Sequence, residues 1–281
     1  MVARRLLPLI ALALAAQVSH AGAGGYGPPY ITDDPEPVDF HHWEFYIASM
    51  YFHPRGDATG TFPHFELNYG AAANLQLHVI APMQYNQPEG GQSAYGYGDT
   101  ELGVKYRIVQ ETARQPMVGV FPLIEVSTGN PRLGLGNGES QFFLPVWIQK
   151  TWGNWSSYGG GGYWINPGPG NHNYWWFGWQ GQYQVSKPLA LGAEVFCTST
   201  SGPTVDGSAT DGFNVGAVYD FNEGHHLLAS VGRGFNNSNS GMAYLAYQWT
   251  WGPKEKDGKK ASVSAPPGDP VSSFRRALGG S

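Results

Sequence analysis

The sequence predicts an all-β protein, a transmembrane antiparallel up-and-down β-barrel of about twelve strands. Three observations predict it. Segments of about ten residues alternate apolar and polar side chains along most of the chain. The links between them alternate between long and short. Of the 281 residues, 14% are aromatic, only 13% are charged and 40 are glycine. A strand places successive side chains on opposite faces, so a period of two marks a sheet with two different surroundings. A barrel in lipid supplies both, hydrocarbon outside and a polar lumen within.

The elements follow in order. Arg4 and Arg5, an apolar stretch from Leu6 to Ala16 and the small-residue end Ser19-His20-Ala21 make residues 1–21 a secretory signal peptide. Residues 22–40 form a periplasmic N-terminal segment ahead of a barrel spanning 41–251. Strands are expected near 43–52 and 64–70. The third, from Leu75 to Tyr85, opposes Leu77, Val79, Ala81 and Met83 to Gln76, His78 and Gln84. The fourth, from Asp99 to Ile108, opposes Leu102, Val104, Tyr106 and Ile108 to Asp99, Glu101, Gly103, Lys105 and Arg107. The others fall near 116–127, 141–151, 155–165, 174–185, 189–198, 212–220, 226–233 and 242–251. Links are long at 53–63, 86–96, 128–138 and 199–209, and short at 70–74, 152–154, 186–188 and 221–224; the link 109–115 is intermediate. Trp152, Trp155, Trp175, Trp249 and Trp251 sit near strand ends, where an interfacial girdle requires them. The tail 252–281 carries Lys254, Lys256, Lys259 and Lys260 before Ala265-Pro266-Pro267-Gly268; it cannot build a core and is expected to be disordered.

Charge and composition exclude several classes. Between Gly22 and Trp251 eight basic residues stand against eighteen acidic ones, a net charge of −10. No basic stripe for nucleic acid results. Cys197 is the single cysteine, so neither an internal disulfide nor a cysteine metal site is available. Outside the leader no apolar run approaches the roughly 20 residues of a membrane helix. An exported chain with an apolar outward face needs outer-membrane lipid as its partner, and the barrel-assembly machinery to reach it. An even strand count leaves both chain ends in the periplasm. Gly96-Tyr97-Gly98 lacks the third glycine and the helix of a phosphate loop, no G-x-S-x-G elbow occurs, and no histidine has a convincing serine partner, so no enzyme and no cofactor are expected. His41-His42 and His225-His226 are adjacent pairs whose members point to opposite faces of a strand; they read as rim residues, not as metal ligands. Arg55-Gly56-Asp57 is a three-letter match of little weight.

If Leu102, Val104 and Tyr106 face lipid, the pleat turns Glu101, Lys105 and Arg107 inward, and the same phase brings in His78, Glu125, Gln180, Gln182 and Glu194. A lysine or arginine at the lipid midplane would cost about 2–4 kcal/mol, which supports the inward phase. The rings of Phe121, Phe143, Trp147, Trp176 and Phe196 share it. The expected lumen lining is therefore His78, Glu101, Lys105, Arg107, Glu125, Trp147, Gln180 and Glu194. Such groups serve either as a selectivity lining or as partners that pair with one another and fill a small barrel. The rings narrow a water path and offer faces to an apolar solute.

Specific runs carry a family resemblance: Pro29-Tyr30-Ile31-Thr32-Asp33-Asp34-Pro35, Glu66-Leu67-Asn68-Tyr69-Gly70, the stretch from Gly96 to Tyr106, Gln141 to Trp152, and Gly159-Gly160-Gly161-Gly162-Tyr163. Together they resemble the outer-membrane β-barrel family labelled putative transporter, or MetA-pathway of phenol degradation, over nearly the whole mature barrel. The resemblance implies uptake of aromatic or other hydrophobic small molecules and brings no catalytic residue set. One departure is visible: the last strand closes on Trp249-Thr250-Trp251 and a tail follows, where many outer-membrane barrels finish on a terminal aromatic. The expected function is a channel that admits small solutes without chemistry; the alternative is a closed structural or adhesion-type barrel.

Overall fold

Twelve antiparallel strands close into a barrel, each hydrogen-bonded to its sequence neighbours and the first to the last. The structure, a computed structural model, describes residues 28–53, 57–199, 211–235 and 241–253. The signal peptide, most of the Arg55-Gly56-Asp57 match and all but the first two residues of the tail lie outside the described residues. The strands are β1 (Trp43–His53), β2 (Ala58–Ala72), β3 (Leu75–Gln87), β4 (Ala94–Tyr97 continuing as Thr100–Val109), β5 (Met117–Val120 continuing as Leu123–Val126) and β6 (Gln141–Trp152). There follow β7 (Trp155–Ile165), β8 (Tyr174–Ser186), β9 (Leu189–Thr198), β10 (Asp211–Asn222), β11 (His225–Gly234) and β12 (Gly241–Trp251). Closure pairs every strand on both sides and leaves no edge, the condition for a sheet in hydrocarbon.

Alternation is realised as two faces. On β6, Phe142, Leu144, Val146 and Ile148 are exposed outward while Phe143, Trp147 and Gln149 are buried. On β8, Trp175, Phe177 and Trp179 point out and Trp176, Gln180, Gln182 and Gln184 are buried. The outward face is apolar and the inward one mixes amides, acids and rings, the arrangement of a transmembrane barrel. Trp152, Trp155, Trp249 and Trp251 stand exposed at the end where the links are short, and Trp43 stacks on Trp251 there with centroids 6.2 Å apart. The turn between β6 and β7 needs a left-handed residue and uses Gly153, at φ 56°.

Two strands are interrupted, each with an identifiable cause. Pro122 has no N–H to give the ladder, and β5 breaks at Phe121–Pro122; its carbonyl still accepts from Val104 N at 3.1 Å. In β4 the break falls at Gly98–Asp99, where Gly98 N donates to Pro82 O at 2.9 Å and the Asp99 carboxylate turns to the loop 127–140. Two boundaries differ from the sequence reading. β2 begins at Ala58, not near 64, so the first long link shortens to 54–57, and residues 94–97 extend β4 into the link expected at 86–96.

The segment expected as a periplasmic stretch, residues 22–40, is described from Pro28 onward, and there it lies inside the barrel. It is held at the short-turn end, where His41 N donates to Gly70 O at 2.8 Å and Gly70 N to His42 O at 3.0 Å. From that end it rises along the lumen, burying Thr32 and Asp34 almost completely. Inward glycines make the room: a Cβ added at Gly178 would strike Thr32, one at Gly119 would strike Pro35, one at Gly192 would strike the hydroxyl of Tyr30, and one at Gly216 would crowd its ring. These close approaches explain glycine on strands that otherwise favour large side chains.

Candidate functional site

The lumen holds two regions, a clasp around the N-terminal segment and a chamber above it. In the clasp, Glu194 of β9 accepts from the backbone N–H of Ile31 at 2.9 Å and of Thr32 at 2.8 Å, and from Asn214 Nδ2 at 2.5 Å. Such charge-assisted bonds are about twice as strong as neutral ones. Lys105 of β4 places its ammonium 2.9 Å from Asp33 Oδ1 and 3.5 Å from Asp34 Oδ2. Gln76 Oε1 accepts from Val38 N at 2.9 Å, Gln149 Nε2 reaches Glu36 Oε2 at 3.3 Å, and Ser230 Oγ donates to Pro29 O at 2.6 Å. Strands from all around the barrel therefore grip one extended strap.

The chamber has a volume of about 540 Å³. Tyr30, Ile31 and Asp33 of the strap form one side; β2 to β5 supply His64, Glu66, His78, Glu101 and Glu125. Toward the long loops it meets Gly134, Gly136 and Asn137. That loop is tied inward by Asp99, whose oxygens accept from Gly129 N at 2.8 Å and Asn137 N at 2.6 Å, and by the buried Leu135. Beside the chamber Phe121, Phe143, Trp147, Trp176, Phe196 and Met242 pack as one cluster, with Trp147 and Trp176 edge to face at 5.9 Å. Offset and edge-on rings are the favourable aromatic geometry.

The residues expected to line the lumen separate into distinct positions. His78, Glu101 and Glu125 meet in the chamber: His78 Nε2 is 2.8 Å from Glu101 Oε1, its Nδ1 is 2.7 Å from Asn68 Oδ1, and Glu101 faces Glu125 across the β4–β5 pair. Lys105 and Glu194 belong to the clasp. Trp147 is in the ring cluster, and Gln180 is fully buried, donating to Gln182 Oε1 at 3.1 Å. Arg107 is not gathered with them. It sits at the short-turn end and fixes the β2–β3 turn, with Nε 3.0 Å from Asn74 Oδ1 and Nη2 3.1 Å from Ala73 O. His226 faces in, with Nδ1 2.6 Å from Asp220, while His225 stacks outward on Trp249; among the described residues no three acidic, histidine or cysteine side chains converge as metal ligands.

Sequence reasoning missed Glu66, His64 and Tyr244 on the chamber wall and Asp33 and Asp34 of the strap. The first two were within reach of the pattern, since His64, Glu66 and Asn68 alternate with Phe65, Leu67 and Tyr69. The strap residues had no such signal, because an extended segment without alternation does not disclose which wall it lies on.

A closed antiparallel barrel with an apolar outside and a polar lumen is the architecture of outer-membrane barrels, and solved structures of that class resemble it. An outer membrane channel from Pseudomonas putida F1 is similar with a TM-score of 0.60 at 17% identity, covering 78% of this chain and 98% of its own. The KdgM porin is similar with a TM-score of 0.52 at 12% identity, over 73% of this chain and 99% of its own. The NanC porin reaches 0.52 at 8% identity, over 73% and 98%. At these identities the likeness concerns the fold. No family model matches the sequence, and no curated relative matches it.

Proposed function

We propose that this chain is an outer-membrane channel admitting small solutes with an aromatic or hydrophobic part, without chemistry, and that residues 28–38 form its constriction. The observation that carries this reading is the chamber of about 540 Å³ inside a closed barrel, bordered by the rings of Tyr30, Phe121 and Tyr244. A volume of that size suits a small molecule. The names of the similar structures, a channel and two porins, support transport, and the phenol-degradation label of the resembling family agrees with the ring faces. In this reading residues 1–21 are the export signal, the assembly machinery inserts the barrel into outer-membrane lipid, and the tail 252–281 remains periplasmic.

The test is conductance of the full mature chain in planar bilayers. Stepwise openings that grow when Lys105→Ala loosens the strap support the channel. The second reading, a closed structural or adhesion barrel, draws on the filled clasp; electrical silence of both the parent and the Lys105→Ala protein would establish it.

A further inference from the structure

We propose that the chamber is a binding site for a small organic cation, a protonated amine carried on an aromatic or apolar body. The inference deepens the channel reading by naming the charge of the solute, and rests on that reading only for the solute's passage.

Charge is the first argument. Five carboxyl groups border the chamber, those of Asp33, Glu66, Asp99, Glu101 and Glu125, and neither lysine nor arginine does. Most have local partners. Asp99 accepts two loop N–H groups, Asp33 takes Lys105, and Glu66 accepts from Asn68 Nδ2 at 2.8 Å. Glu101 bonds His78, which also lies 3.6 Å from Glu66. Glu125 has no ion pair or side-chain hydrogen bond among the described residues. It stands directly opposite Glu101 in the β4–β5 register, and β5 supplies no cation to separate them. Like charges directly opposite on one face of a sheet destabilise it. A cation seated between them would let both be ionised together.

An unsatisfied group makes the second argument. Tyr244 is 9% exposed, borders the chamber, and its hydroxyl has no hydrogen-bond partner. Burying a hydroxyl in this way costs free energy, which a ligand donor or acceptor recovers once the Tyr244 side chain turns its hydroxyl into the chamber. The rings of Tyr244, Tyr30 and Phe121 offer faces to which an ammonium is attracted. Lys105 already makes one such contact, with Nζ 4.9 Å from the Phe121 centroid.

Geometry selects an organic cation over a bare metal ion. Among the described residues no three acidic, histidine or cysteine side chains converge on one point, whereas the acids spread around a volume the size of a small molecule. A compact divalent ion would need several oxygens at about 2.0–2.6 Å.

The experiment is calorimetric titration of the full mature protein, folded in detergent, with 2-phenylethylamine, 2-phenylethanol and 3-phenylpropionate, which share a ring and differ in charge. The amine is expected to bind at least about tenfold tighter than either of the others, and Glu125→Gln to weaken it by at least about tenfold, 1.4 kcal/mol. Tyr244→Phe provides a second variant that keeps the ring and lowers amine affinity by a smaller factor. Heat-modifiable mobility on gels confirms that each variant is folded. Equal binding of the three probes, no heat with the amine, or unchanged affinity in folded Glu125→Gln overturns the inference. Amine selectivity in a protein that is silent in bilayers would sink the channel reading and leave the binding site standing. Conductance without amine preference would do the reverse.

Discussion

At the scale of single residues, Lys105 shows what local pattern reveals and what it hides. Its inward direction was legible from the alternation between Asp99 and Ile108, because the pleat is a property of adjacent residues. Its partner was not, since Asp33 lies 72 positions earlier in a segment with no alternation of its own. Glu194 repeats the case at a separation of 162 residues from Thr32. Arg107 shares the phase of Lys105 yet ends at the β2–β3 turn, because phase fixes the face of a strand and not the depth along it. Lys105 is 5% exposed, and removing one member of a buried ion pair costs about 3–5 kcal/mol because the other is left charged and unpaired. Lys105→Ala is therefore expected to release the strap. Chymotrypsin acting on folded protein will cleave after the buried Tyr30 much faster in that variant, as read by mass spectrometry. Adding Asp33→Asn and Asp34→Asn removes the stranded charges and is expected to restore protection. If Tyr30 stays equally protected in Lys105→Ala, the ion pair does not hold the strap.

At the scale of the strands, the number and placement of elements were legible because lipid imposes the same demand on every one of them. Each strand must turn apolar side chains outward across the hydrocarbon, so the pattern recurs twelve times. Strand ends were not legible where that demand fades. Residues 58–63, Ala-Thr-Gly-Thr-Phe-Pro, read as a link by composition, yet Ala58 to Thr61 pair with Gln87 to Gln84. The break at Pro122 was similarly hidden, since proline within a strand marks an irregularity without saying whether the chain resumes the same ladder. The two-faced assignment makes a quantitative prediction. Val146 is 48% exposed at the middle of β6, flanked on the same face by Leu144 and Ile148. Val146→Arg is expected to lower unfolding free energy in lipid vesicles by about 2–4 kcal/mol, and Gln110→Arg on the exposed β4–β5 link by about 0–1 kcal/mol. Equal effects in a denaturant titration would mean that β6 does not carry its outward face in hydrocarbon.

At the scale of the whole molecule, the barrel and its strap are a single mechanical problem. The chamber is bounded on one side by the strap residues Tyr30, Ile31 and Asp33. Beyond them Thr32, Asp34, Gln76, Gln149 and Gln180 are all at most 3% exposed, so the clasp is filled by packed side chains. A solute that enters the chamber and leaves by the short-turn end must displace the strap. The contacts that hold it are mainly polar, and polar contacts can be exchanged for water at a net cost of about 0.5–1.5 kcal/mol for each neutral bond and about 1.5–3 kcal/mol for each bond to a charged group, which permits repeated release. Glu36 and Gln149 touch across the gap at 3.3 Å, so cysteines at both positions, in a Cys197→Ser background, can be joined by a short reducible bis-methanethiosulfonate linker added during refolding. In planar bilayers the linked protein is expected to pass little current, and reduction of the linker to raise conductance in the same membrane. Reduction that leaves a finite conductance unchanged would mean that ions travel past a stationary strap. The wall between strands would then have to supply the path, and the packed rings of Phe143, Trp147 and Trp176 would be the first place to seek it.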